Sequence, residues 1–231
     1  MERQTWNILA NTFEIKTRGS FRKAFVFSER HYALLKSGTS DAAILAIFNS
    51  FKPVHEEFEA EFVKWQRFLG DQEGATLDFQ NTLLLLQSKL KAWESGIYYH
   101  YPEGSTEAVA IFPNKRTPFY RGRHTVRTEA VDTLLKQLDK YPALATVKAD
   151  VADYYSMLHG KLMERIGREM QVTIQSGVLE EKRKRIANEI YGNLGLLMHR
   201  YRDNTAMIKT YFDMGVLKNA VHRKKKKKEK K

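Results

Sequence analysis

Apolar side chains recur along most of this chain at steps of three and four, the period of a helix that buries one face. Val54, Phe58, Phe62, Trp65 and Leu69 form one such stripe, with Pro53 just ahead of it, where a proline suits a first helical turn. Gly70 and Gly74 mark a break, after which Phe79, Leu83, Leu86, Leu90, Trp93, Ile97 and Tyr101 make a second stripe that Pro102 and Gly104 end. Two helices joined by a short polar link are expected to lie antiparallel. Further on, Thr128 and Glu129 cap a short helix carrying Val131, Leu134, Leu135 and Leu138. Pro142 opens a longer one through Val147, Val151, Tyr154, Leu158, Leu162 and Ile166.

The second half of the chain repeats the plan of the first. Residues 86–112 and 186–212 match one hundred positions apart, pairing Leu86 with Ile186, Leu90 with Ile190, Ile97 with Leu197, Tyr101 with Tyr201 and Phe112 with Phe212. Glu103 and Ser105 correspond to Asp203 and Thr205 in the linking turn, a match that helical periodicity alone does not supply. In the preceding helix the stripes align at a shift of 89, Phe58 with Val147 and Trp65 with Tyr154, so the second hairpin is expected to be about eleven residues longer. Each copy of such a repeat carries one apolar face to bury.

The first forty residues are less regular. A helix from Phe21 to Lys36, stopped by Gly38, fits them, although Phe25-Val26-Phe27 fits a strand equally well. The fold expected is all-α, a helical bundle of two pseudo-equivalent halves with a disordered basic C-terminal tail. The expected division is an N-terminal segment 1–39, a first repeat 40–114, a basic connector 115–127, a second repeat 128–222 and a polybasic tail 223–231.

Charge sharpens this picture. The net charge is +12, yet residues 223–231 hold eight bases and one acid, and residues 115–127 hold five bases and no acid, so the rest of the chain is formally neutral. Consecutive lysines are hydrated point charges that neutralise phosphates without reading bases. Arg223, Lys224, Lys225, Lys226, Lys227 and Lys228 are therefore candidates for nucleic-acid contact. In the connector, Lys115, Arg116, Arg121, Arg123 and Arg127 accompany Phe119 and Tyr120, and guanidinium forks grip phosphate while aromatic faces stack on unpaired bases. The competing reading is that Phe119 and Tyr120 pin the connector to the core while the arginines are solvated.

Catalytic signatures are missing: no Walker loop, Gly-x-Gly-x-x-Gly, His-Glu-x-x-His or Gly-x-Ser-x-Gly occurs. The Ser20–Lys23 pair lacks the companion motifs of serine acyl enzymes. There is no cysteine to supply a disulfide or thiolate ligand. No Glu-x-x-His pair is present, and His55 with Glu56 and Glu59 stands beside the buried face of its helix, so no metal or other cofactor is expected. No small-molecule substrate suggests itself. With no apolar run at residues 1–15, a cytoplasmic location is expected. The function expected is that of a non-enzymatic interaction protein drawn to polyanions, nucleic acid foremost, an anionic membrane surface less so. The alternatives are an assembly protein forming homo- or hetero-oligomers through its long helices, and a peripheral membrane protein.

Overall fold

A computed structural model describes residues 11, 13, 14, 20–113 and 115–213. Among these every regular element is helical. In chain order they are α1 (Ser20–Ser37), α2 (Ala42–His100), α3 (Thr106–Ile111), α4 (Thr117–Tyr120), α5 (His124–Leu138), α6 (Ala145–Arg200) and α7 (Thr205–Lys209), with a 3₁₀ turn at Pro142–Leu144. The polybasic residues 223–231 lie outside the described residues.

Two helices dominate. α2 runs for 59 residues and passes uninterrupted through Pro53, Gly70 and Gly74. The expected break, and with it the short antiparallel hairpin, is not there. A glycine inside a helix costs about 1 kcal/mol relative to alanine, and the stripes buried on either side of this stretch outweigh that. Pro53 lies eleven residues inside the helix rather than at its start. The possible strand at Phe25–Phe27 is likewise helical, as part of α1.

The chain divides into two compact units: residues 1–67 with 173–231, and residues 68–172. The core of the first gathers Phe27 and Leu35 from α1, Ile44, Phe51 and Phe58 from α2, Ile186, Ile190 and Leu197 from α6, and Tyr211 and Phe212 beyond α7. The core of the second gathers Leu86, Leu90, Trp93 and Ile97 from α2, Ile111 and Phe112 at the end of α3, Val131, Leu134 and Leu138 from α5, and Val151, Tyr154 and Leu158 from α6. Aromatic packing closes both. Phe13 stacks on Phe212 at 5.6 Å in the first unit, and Phe119 meets Phe112 edge-on at 6.0 Å in the second.

Buried positions recur one hundred residues apart along the full length of α2 and α6. Phe51 and Val151, Phe58 and Leu158, Phe62 and Leu162, Phe79 and Leu179, and Leu86 and Ile186 are all buried. Burial also recurs at this spacing between residues 51–62 and 151–162, where the expected shift was 89. Eleven residues are about three helical turns, and a slip of that size realigns one apolar stripe with another.

Candidate anion-binding site

The basic segment 115–127 belongs to the second unit, and the fold sorts its cations into two kinds. Arg116 is committed to the protein: its guanidinium bonds the Glu94 carboxylate, which holds its pKa above the ordinary arginine value. Lys115 sits 3.8 Å from Glu103, with both side chains largely in water, so the pair contributes little. Arg121, Arg123 and Arg127 have no carboxylate partner among the described residues.

Helix α5 starts at His124, four residues before the expected Thr128, so His124 and Arg127 stand on its first turn. The chain enters through Gly122, whose φ of +94° is a conformation that favours glycine. Arg123 is the N-cap residue and makes no capping hydrogen bond through its side chain. Phe119, expected to offer a stacking face, is instead 5% exposed and part of the core. It cannot meet a base. Tyr120 is half-buried against the same core and lines a depression of about 310 Å³ together with Gln80, Gln87, His124 and Arg127.

Arg165 on α6, a residue that the sequence pattern did not single out, completes the cluster. Its Nη1 lies 2.9 Å from His124 Nδ1, and its guanidinium sits 5.6 Å from the centre of the Phe79 ring. Since a guanidinium only donates, Nδ1 accepts, and the neutral imidazole carries its proton on Nε2. Burial first, then the charges of Arg165 and Arg127, hold His124 below the usual histidine range. Arg127 Nε is buried without a hydrogen-bond partner. A second depression, of about 500 Å³, is lined by Gly122, Arg123, His124, Thr125 and Arg165. The cluster thus presents donors throughout, with no carboxylate among the described residues balancing Arg123, Arg127 or Arg165.

A separate group in the first unit has the composition of a metal site. Glu29, His55 and Glu59 offer ligand atoms within 4.8 Å of one another, Glu29 standing where the sequence pattern suggested Glu56. His55 Nε2 lies 2.8 Å from Glu29, and its Nδ1 is buried without a partner. Metal-bound histidines almost always anchor that second nitrogen, so the arrangement reads as a histidine–carboxylate contact under the stacked Tyr32 ring.

No family model, curated protein or solved structure matches this chain. None of the helices among the described residues is long and apolar enough to cross a membrane.

Proposed function

We propose that this protein binds polyanions, nucleic acid in particular, through the basic face around the start of α5 together with the polybasic residues 223–231. The observation that supports the reading is Arg123, Arg127 and Arg165 standing around His124 without one carboxylate partner among the described residues. A folded chain ordinarily balances such a concentration of charge internally, since like charges in proximity destabilise the compact state. Leaving these three guanidiniums unbalanced on one unit favours an external anion as the counter-charge. The matching burial at one-hundred-residue spacing supports descent of the two halves from one duplicated helical plan, with only the second carrying this basic cluster.

Fluorescence anisotropy of the full chain, stripped of co-purifying nucleic acid, against labelled single- and double-stranded oligonucleotides tests the reading. Saturable binding that weakens as salt rises is expected. Failure to bind either form at low ionic strength rejects it, and flotation with anionic vesicles in its place would move the protein to a membrane surface.

A second reading draws on Met163, Ile166 and Met170, which stand 46%, 44% and 64% exposed at helical spacing on α6. That face suits self-association with a second copy, as an assembly protein would use it. Light scattering across a hundredfold range of protein concentration distinguishes a monomer from such a dimer.

A further inference from the structure

We infer that Arg123, His124, Arg127 and Arg165 form a seat for a phosphate monoester dianion, such as the terminal phosphate of a nucleic-acid strand. The inference rests on the polyanion-binding reading and specifies the group that this cluster would hold.

Elsewhere the fold supplies a buried guanidinium with its own counter-charge. Arg183, in the first unit, is 2% exposed, and Glu180 grips it through Nε and Nη2, both at 2.7 Å. Glu14 adds a third carboxylate oxygen at 4.0 Å. That is a structural arginine with its counter-charge built in. Arg127 and Arg165 receive none. Arg165 instead faces an imidazole and a phenyl ring, neither of which removes a charge.

The one-hundred-residue register shows what these positions require for packing alone. One hundred positions before His124, Arg127 and Arg165 the first unit carries Ala24, Phe27 and Trp65. Phe27 packs on Phe13 at 5.3 Å, and Trp65 meets Phe21 at 5.2 Å while bonding Ser176 through its indole nitrogen. Apolar and aromatic side chains satisfy that location, so two arginines and a histidine are not needed to fill it. Their shared property is donation.

The donors border two depressions that share His124. His124 borders both depressions, one containing Arg127 and the other Arg123, Thr125 and Arg165. With Nδ1 occupied by Arg165, the imidazole offers Nε2–H, and Thr125 adds a hydroxyl. Three guanidiniums suit a dianion with three terminal oxygens better than the single charge and two free oxygens of an internal phosphodiester. Burial first, then the charges of Arg165 and Arg127, lower the pKa of His124, and a bound dianion would offset the second of these causes.

The probes are inorganic phosphate, a nucleoside monophosphate, and one oligonucleotide with and without a 5′-phosphate, titrated into the full chain by calorimetry. The His124 ring is followed by NMR. The expected result is saturable phosphate binding, movement of the His124 resonances, and about tenfold tighter binding of the phosphorylated strand. Arg165→Gln and Arg123→Gln are each expected to weaken phosphate binding about tenfold or more. Arg123 is exposed, so its replacement tests the seat even if the Arg165 variant folds poorly. If phosphate leaves His124 unmoved, and both strands bind equally to the parent chain and to Arg123→Gln, the seat is overturned while nucleic-acid binding stands. If phosphate and the monophosphate bind at His124 but neither strand binds, the seat stands and the nucleic-acid reading falls.

Discussion

The Nδ1–H of His31 donates to the main-chain carbonyl of Tyr211 across 2.8 Å, fastening α1 to the segment beyond α7. Nε2 of the same ring accepts from the Asn193 side-chain amide at 3.2 Å, and the ring stacks on Phe212 at 4.7 Å. Both nitrogens are therefore used by the neutral form. A second proton would have no acceptor inside the core, and burial lowers the pKa of His31 to about 4.

Stability of the first unit should accordingly depend on pH in a defined window. The unfolded chain takes up a proton near pH 6.5, while the folded chain refuses it until about pH 4. The contribution is complete above pH 6.5, declines as pH falls through the interval, and is gone below pH 4. Its total is about 3 kcal/mol, at the rate of about 1.4 kcal/mol per pH unit. Urea midpoints recorded from pH 7 to pH 4 should fall steadily in the parent. In His31→Gln the slope should be shallower. An equal slope in both would remove His31 as the origin of the acid sensitivity.

Glycine substitutions should separate by environment. A Cβ at Gly70 or Gly74 would meet nothing within 4 Å, so alanine there should raise stability by about 0.5–1 kcal/mol through helix propensity alone. A Cβ at Gly96 would come within 2.7 Å of Val147 Cγ2, a stiff β-branched side chain. Gly96→Ala should therefore lose about 1–2 kcal/mol despite the better propensity. Thermal melts of the three variants compare these effects directly, and a gain at Gly96 would mean that α6 moves aside freely.

These glycines also show where the sequence pattern was ambiguous. Gly70 and Gly74 read as punctuation because glycine commonly ends helices, yet nothing in the local sequence reports that α2 continues through them on packing at both ends. The 89-residue register is ambiguous for a related reason: about three helical turns separate it from the one-hundred-residue spacing at which burial recurs, so apolar periodicity fits both. The burial of Trp93 and Ile97 and the all-helical class follow from periodicity and were legible, whereas the helix at Ser20–Ser37 competed with a strand at Phe25–Phe27. Arg121, Arg123 and Arg127 stood out because no acid accompanies them. Arg165 did not, since it lies on an ordinary amphipathic stretch and only tertiary packing brings it to His124.

The buried arginine of the first unit should respond asymmetrically. Glu180→Ala leaves Arg183 almost fully buried with only the longer Glu14 contact, and should cost on the order of 3 kcal/mol. Arg183→Leu introduces the side chain that occupies position 83, and the Glu180 carboxylate is 38% exposed and can be hydrated. That loss should be under about 1.5 kcal/mol. Denaturant titration of both variants checks the order, and an equal loss would mean that Arg183 packs rather than pairs.

The two basic segments should differ in what they contribute to binding. Residues 223–231 carry eight bases on a short run, and lysines grip phosphates without selecting a sequence. Each phosphate contact adds about 0.7 to the steepness of log affinity against log salt on a single strand. Removing the run should therefore weaken binding at low salt and flatten that slope by about 3–5. Arg121→Gln with Arg123→Gln should flatten it by no more than about 1.5, yet should reduce the preference for one strand end over another, because those residues act at a fixed place on the fold. Anisotropy titrations between 50 and 300 mM salt, roughly the range over which counterion release is read, compare the three chains. An unchanged slope after truncation would take the polybasic run out of the interface and leave the α5 cluster as the whole of it.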